Sequence, residues 1–420
     1  MTKRMICVWL LLCILCTSCG HFGADVSSGD EVVISKALQD PESTNQDFLL
    51  PGDKEKNTLL PVTPSPHAQK AAKRIDNPLS SDHDVQESAE PTDMPSPSAS
   101  AQNEVKSTGV PKATYEPIIS HDKLKLYNST GTAVIGDTGY EIYNYVSSAA
   151  ETYAKTINRA GSILGKSYHL YTMIAPTSVG ITIPDNKANK VNSSDQQKSI
   201  QNIYKKIKKP VQKIELYDTM MQHRTEYIYF RTDHHWSSLG AYYAYHQFCT
   251  DTGRTPYELY QYRKKSFGNF IGTFYGDSNK NKNLRRDTLE VYYPQSELTM
   301  KTRTDQGKMV SCKVIEDASG YGVGAKYSAF LGGDNAYSVI TNKDVKDNSA
   351  CIVVKESYGN ALVPYLADHY HKVYVVDYRY WTGKLSELAK KNKVQDILFI
   401  NNISMTRNLY LIGKLSQILH

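Results

Sequence analysis

The 420-residue sequence predicts an α/β domain in three layers, with helices on both faces of a mainly parallel sheet, a small β insertion, and a long disordered tether ahead of it. Three observations carry this. Over residues 116–420, short apolar runs rich in β-branched and aromatic residues alternate with helical patterns. The alternation breaks at a Gly- and Asn-rich stretch, 267–283, after which short β patterns follow without long helices. Between residues 20 and 115 the chain holds ten of its seventeen prolines and few aromatic residues, and such a segment cannot bury enough apolar surface to offset its ordering entropy.

The amino terminus comes first. Lys3 and Arg4 precede an apolar run from Met5 to Cys16, which ends in Cys16-Thr17-Ser18-Cys19. A basic start, an apolar run short for a membrane span and small residues before Cys19 read as a lipoprotein-type signal peptide over 1–19, with Cys19 as the lipid-bearing residue. Cys16 stands where leucine is preferred in such a cleavage box. The body is therefore expected at the extracellular face of the cell membrane, anchored by lipid, or secreted if Cys19 carries none.

Four of the seven cysteines lie in this leader; Cys249, Cys312 and Cys351 remain, with no Cys-x-x-Cys spacing. An odd number in a large domain argues against a disulfide framework or a zinc site, and no metal or cofactor is expected. The tether, 20–115, holds 8 Lys and Arg against 15 Asp and Glu, net −7; residues 116–420 hold 39 against 28, net +11. An acidic tether thus precedes a basic domain, which would be drawn to an anionic wall or polymer. Nothing in the chain suggests a nucleic-acid module.

In the body, a strand at 132–136 leads to a helix over about 140–164, and a strand at 168–175 to a loop and a helix near 194–207. Apolar runs at 211–217 and 227–230 follow, the second feeding Thr232-Asp233-His234-His235-Trp236, and then a helix over about 238–251. Runs at 288–293, 310–315 and 337–341 read as the β insertion, while 351–354, 373–377 and 397–401 read as buried parallel strands with helices between. Parallel sheets carry functional loops at the carboxyl ends of strands, where Asp233, His235 and Ser357 are all expected.

Those three residues supply the parts of an activated hydroxyl. A serine needs a base within hydrogen-bond reach, held in one tautomer by a third group. The Asp-x-His spacing turns Asp233 and His235 to one side and His234 away. Ser357 follows an apolar strand at a helix start, where backbone N–H groups favour a developing oxyanion. Each piece also has a plainer reading: an exposed polar pair for Asp-x-His, and a helix N-cap for the serine.

Asp-His-His-Trp, followed some 120 residues on by an apolar strand and a serine turn, resembles the DHHW proteins of Gram-positive bacteria, which are similar to the SGNH-hydrolase-like domains of alginate O-acetylation proteins. The resemblance covers about 116–420. It implies an SGNH-like domain and an extracytoplasmic enzyme that moves or removes acetyl groups on a polysaccharide, with Asp233, His235 and Ser357 matching the family's triad. The residue before the nucleophile is usually Asp, and here it is Glu356. The resemblance further implies a glycan acceptor and a membrane-bound O-acyltransferase as acetyl supplier. An acetyl esterase with the same triad, or a non-catalytic polysaccharide-binding envelope protein, are the competing readings.

Several other residues invite a role. Gly359, Asn335 in the Gly332-Gly333-Asp334-Asn335 turn, and Asn402 could complete an oxyanion hole; tight turns explain them as well. Arg231, in phase with Asp233, could bind a sugar carboxylate or pair with Asp233. Asp377, Arg379, Tyr380 and Trp381 could line a carbohydrate cleft. Thirty-one tyrosines against nine phenylalanines would suit stacking on sugars, as would a compositional bias. Trp236 is expected to pack beneath the motif.

Overall fold

The computed structural model describes residues 120–420; the signal peptide, Cys19 and the tether lie outside the described residues. The chain opens with an antiparallel trio, β1 (Leu124–Tyr127), β2 (Thr132–Ile135) and β3 (Thr138–Glu141). The β2–β3 turn has two residues and places Gly136 first, at φ +59°, as a tight hairpin of this kind requires. The expected helix from residue 140 is therefore shorter. Residues 138–141 are drawn into the hairpin, and α1 spans Ser147–Leu164.

The chain continues through β4 (His169–Ala175), α2 (Ser178–Ile181), α3 (Asp185–Ala188), α4 (Gln196–Tyr204), β5 (Val211–Ile214), α5 (Tyr217–Gln222) and α6 (Ser238–Thr252). Asp195 caps α4 by accepting from Lys198 N, and Ser237 caps α6 by accepting from Gly240 N. After α6 come β6 (Arg263–Phe270), α7 (Thr273–Asp277), β7 (Asp287–Tyr293), β8 (Leu298–Arg303), β9 (Met309–Cys312) and β10 (Tyr337–Asn342). The last stretch is β11 (Ala350–Lys355), α8 (Gly359–Leu366), β12 (Lys372–Asp377), α9 (Leu385–Lys391), β13 (Asp396–Asn402) and α10 (Leu409–Gln417).

Eight strands form one sheet in the order β5-β4-β13-β11-β12-β10-β8-β9. From β5 to β12 every pairing is parallel; β10, β8 and β9 add on antiparallel. The fold is thus mixed α/β around a large, mostly parallel sheet. The expected insertion is largely part of that sheet. Strand β10 alternates buried with half-buried positions, so it suits a flank covered mainly on one side, and it pairs with β12 from Tyr337↔Val376 to Thr341↔Lys372. Of the runs assigned to the insertion, 288–293 alone stays outside, as β7 paired with β6.

The run at 227–230 is not a sheet strand either. It folds back on the motif through the Tyr229↔Trp236 bridge, with Phe230 N donating to His235 O and Ser237 N to Ile228 O. Ser357 does lie beyond the carboxyl end of β11, whereas Asp233 and His235 sit in this closed loop.

Alternation along β11 divides the core in two. Cys351 and Val353 join a cluster with α6 residues Ala241, Tyr245 and Phe248 and α8 residues Leu362 and Leu366. Ala350, Ile352 and Val354 join another with Ile157 and Leu164 of α1 and Ile412 and Leu415 of α10. Many tyrosines are core rather than surface: Tyr143, Tyr153, Tyr245, Tyr358, Tyr365, Tyr370 and Tyr378 are among the largest fully buried side chains. Cys249, Cys312 and Cys351 are free thiols, two of them buried. Among the described residues no helix is long and apolar enough to cross a membrane.

Candidate active site

The structure brings Asp233, His235 and Ser357 together in a nearly buried row. His235 Nε2 lies 2.7 Å from Ser357 Oγ, and His235 Nδ1 lies 2.5 Å from Asp233 Oδ1. Asp233 also accepts from its own loop and from the next element, taking His235 N on Oδ1 at 3.0 Å and Thr273 N on Oδ2 at 3.2 Å. A Cβ at Gly272 would come within 2.1 Å of Asp233 Oδ2, so the chain can pass this close only as glycine.

Burial raises the Asp233 carboxyl, but the imidazoles of His235 and His234 and the hydrogen bonds from His235 outweigh it and hold Asp233 ionised. His235 is pushed below its ordinary value, first by burial and then by His234, against the pull of Asp233. Its imidazole is therefore neutral near pH 7. With Nδ1–H donated to Asp233, Nε2 is left as acceptor for the serine hydroxyl.

Two hydrogen bonds tie the motif to the nucleophile turn, and a third holds that turn from Tyr327. Trp236 Nε1 donates to Tyr358 O at 2.9 Å, Tyr358 OH donates to His234 O at 2.6 Å, and Tyr327 OH donates to Ser357 O at 3.0 Å. The Tyr327 ring also stacks on His235, centroids 3.9 Å apart at 12°. Sequence reasoning placed Trp236 beneath the motif and missed Tyr327, which approaches from a short 3-10 helix (Lys326–Ala329) 30 residues before the serine and carries no motif of its own. It missed Asp287 too. This buried carboxylate accepts from Arg231 N, Thr232 N, Thr232 Oγ1 and Tyr227 OH, and so fixes the backbone just ahead of Asp233.

The profile of the DHHW protein family matches residues 113–376. The chain belongs to the DHHW family. A DHHW protein of Eubacterium siraeum, solved by crystallography, superposes with TM-score 0.65 at 26% identity, covering 72% of this chain and 100% of that one. PatB1 of Bacillus cereus, solved with a sulfonyl adduct, gives TM-score 0.57 at 17% identity, covering 69% of this chain and 100% of its own. No curated protein matches.

In this DHHW protein His234 does not point away. Its ring lies 3.9 Å from that of His235, and its Nδ1 is 2.9 Å from Thr273 Oγ1 and 4.0 Å from Asp233 Oδ1, because the closed loop is too tight for strand-like alternation. Asp233, His234 and His235 hold metal-type donor atoms within 4.8 Å of one another. Nδ1 of His235 and Oδ1 of Asp233 already bond to each other, so a cation there would have to separate the pair.

Glu356, where the family usually has Asp, is buried beside the serine. Its Oε1 accepts from Asn402 N at 2.9 Å and its Oε2 from Tyr358 N at 3.1 Å, with Ser357 Oγ 3.3 Å away. The serine hydroxyl has one proton, and the shorter contact, to His235, claims it. Burial raises the Glu356 carboxyl, against Arg379 and those two N–H groups.

The remaining residues are largely engaged elsewhere. Gly359 N donates to Glu356 O; the Asn335 amide donates to Leu331 O and Gly333 O; Asn402 Oδ1 accepts from Ser404 N. Arg231 faces Asp287 at 3.7 Å and Asp137 at 3.9 Å rather than Asp233. Arg379 grips Asp377 through Nε and Nη2 and reaches Asp334, which also accepts from Asn360 Nδ2. Its fork is thus filled by protein carboxylates, while Tyr380 stands 56% exposed beside it.

Proposed function

We propose that this protein is an extracytoplasmic polysaccharide O-acetyltransferase acting through an acetyl-serine intermediate. The continuous run of hydrogen bonds from Asp233 through His235 to Ser357 Oγ supports the reading most directly. Ser357 Oγ attacks the acetyl carbonyl of a donor ester as its proton passes to His235 Nε2, and the donor's alcohol leaves with that proton. A sugar hydroxyl then gives its proton to His235 and attacks the acetyl carbon, restoring the serine. Asp233 holds the imidazole in the right tautomer and balances its charge while it is protonated.

The three-layer SGNH-like arrangement belongs to the same reading. So do a lipid anchor at Cys19, a tether over 20–115 giving reach from the membrane, a cell-envelope or exopolysaccharide acceptor, and a membrane-bound O-acyltransferase as acetyl supplier. The sulfonyl adduct of PatB1 suggests the test. Phenylmethylsulfonyl fluoride should modify Ser357, read by peptide mass, and abolish acetyl-ester turnover. With an activated acetyl ester and candidate glycans present, the acetyl group should then be found on sugar hydroxyls. Labelling elsewhere, with Ser357→Ala still active, overturns the triad; acetyl passing only to water with every glycan makes the protein an esterase.

A further inference from the structure

Beside the catalytic loop lies an open cavity of about 350 Å³ lined by Tyr227, Arg231, Arg285, Arg286, Thr288 and Glu290. We propose that this cavity binds an anionic group, phosphate or carboxylate, carried on the acceptor polymer; the proposal rests on the acetyltransferase reading and names its substrate as an acidic glycan.

Three arginines line it, and a planar guanidinium fork matches the paired oxygens of a phosphate or carboxylate. The local carboxylates leave part of that capacity free. Glu290 is held by Lys264 at 3.0 Å. Asp137 is held by Arg285 at 2.8 Å. Asp287 is buried, and its oxygens are turned inward onto the backbone and hydroxyl donors of residues 227–232. Arg231 lies over the Tyr227 ring, 4.7 Å from its centroid, and beyond hydrogen-bond range of both Asp287 and Asp137. Arg286 donates to the neutral Asn269 Oδ1 at 2.6 Å and has no ion pair among the described residues. Four cations (Arg231, Arg285, Arg286, Lys264) thus meet three carboxylates (Asp137, Asp287, Glu290), leaving one positive charge in excess around an open cavity.

Position gives the cavity its use. Arg231 lies two residues before Asp233, on backbone that Asp287 fixes. Cavity wall and the carboxylate that orients His235 therefore belong to one turn. A polymer with a charged substituent at regular intervals can seat one charge here while a neighbouring repeat offers its hydroxyl to Ser357.

The test is equilibrium binding of fluorescently tagged polyglycerol phosphate, polygalacturonate and dextran to the full chain, with no acetyl donor present. Because no turnover is needed, the result stays readable if the protein proves to be an esterase. At least one anionic polymer should bind about ten-fold or more tighter than dextran and weaken as salt rises. Whether the phosphate or the carboxylate polymer wins names the group. Arg285→Ala with Arg286→Ala should lose about ten-fold, the scale of a lost charge-assisted hydrogen bond, while Lys205→Ala with Lys206→Ala, which removes equal charge from an exposed site elsewhere, should change binding less than about two-fold. If the double arginine variant fails to fold, Arg286→Gln alone is measured. Dextran binding as well as the anionic polymers, equal losses in the lysine and arginine variants, or orthophosphate binding as tightly as a polymer repeat, which would mark a free-ion site, each overturns the proposal.

Discussion

Tyr327 touches both working ends of the proposed triad, with its ring on the His235 imidazole and its hydroxyl on the Ser357 carbonyl. Tyr327→Phe keeps the ring and loses one hydrogen bond, of net worth about 1 kcal/mol, so acetyl-ester turnover should fall several-fold. Tyr327→Leu should cost more and also move the acid limb of the pH profile upward, because water reaching the imidazole relieves the burial that depresses it. A variant that merely loosened the core would lower stability and leave that limb in place. Ser357→Ala should abolish turnover with little change in the unfolding midpoint, since the serine offers the fold little beyond its place in the row. For the parent chain, kcat/KM should decline on acidification with an inflection below 6.5, because His235 is depressed and works only as the neutral base. The same depression gives stability that is fully present above pH 6.5 and is lost as pH falls through the folded value. Removing His234, one of the groups that depress His235, should raise the inflection; His235→Ala should cost orders of magnitude. Equal rate losses from the two histidine variants would contradict this division of roles.

At the scale of elements, the decisive contacts come from segments with no recognisable pattern. Asp287→Asn leaves donors of the 231–232 backbone facing an amide that cannot accept them all, at a cost of about 1–3 kcal/mol measured by denaturant unfolding, and turnover should drop with it. Gly272→Ala should lower turnover more than stability, because the added carbon meets the Asp233 carboxylate first. The buried parallel strands were legible in the sequence: the runs at 351–354, 373–377 and 397–401 are apolar up to Asp377 and Asn401 at the ends of the last two, as strands covered on both faces must be. The row of Asp233, His235 and Ser357 was legible as residue types and spacing. Less legible was anything set by pairing partners. Strand β10 reads the same whether it starts an insertion or completes a sheet, and a run such as 227–230 reads as a strand although it closes on its own motif. Tyr327, Asp287 and Thr273 reach the site through tertiary contacts that no local spacing announces.

For the molecule as a whole, a chain beginning at Glu116 should fold and turn over an acetyl ester as the full chain does, checked by thermal unfolding and steady-state rates; insolubility of that chain would place the domain boundary elsewhere. The ties between motif and nucleophile also bear on when the site comes into being. Trp236 to Tyr358 and His235 to Ser357 each close 122 residues of chain, and between those ends lie six strands, three of which complete one flank of the sheet. Contacts of such long sequence separation are entropically late in folding. A half-folded chain therefore holds Ser357 without its base. Under the proposed mechanism the hydroxyl gains its base only when the contact between His235 and Ser357 closes, so the rate at which a sulfonyl fluoride gains its target during refolding should track the final folding step rather than the first collapse.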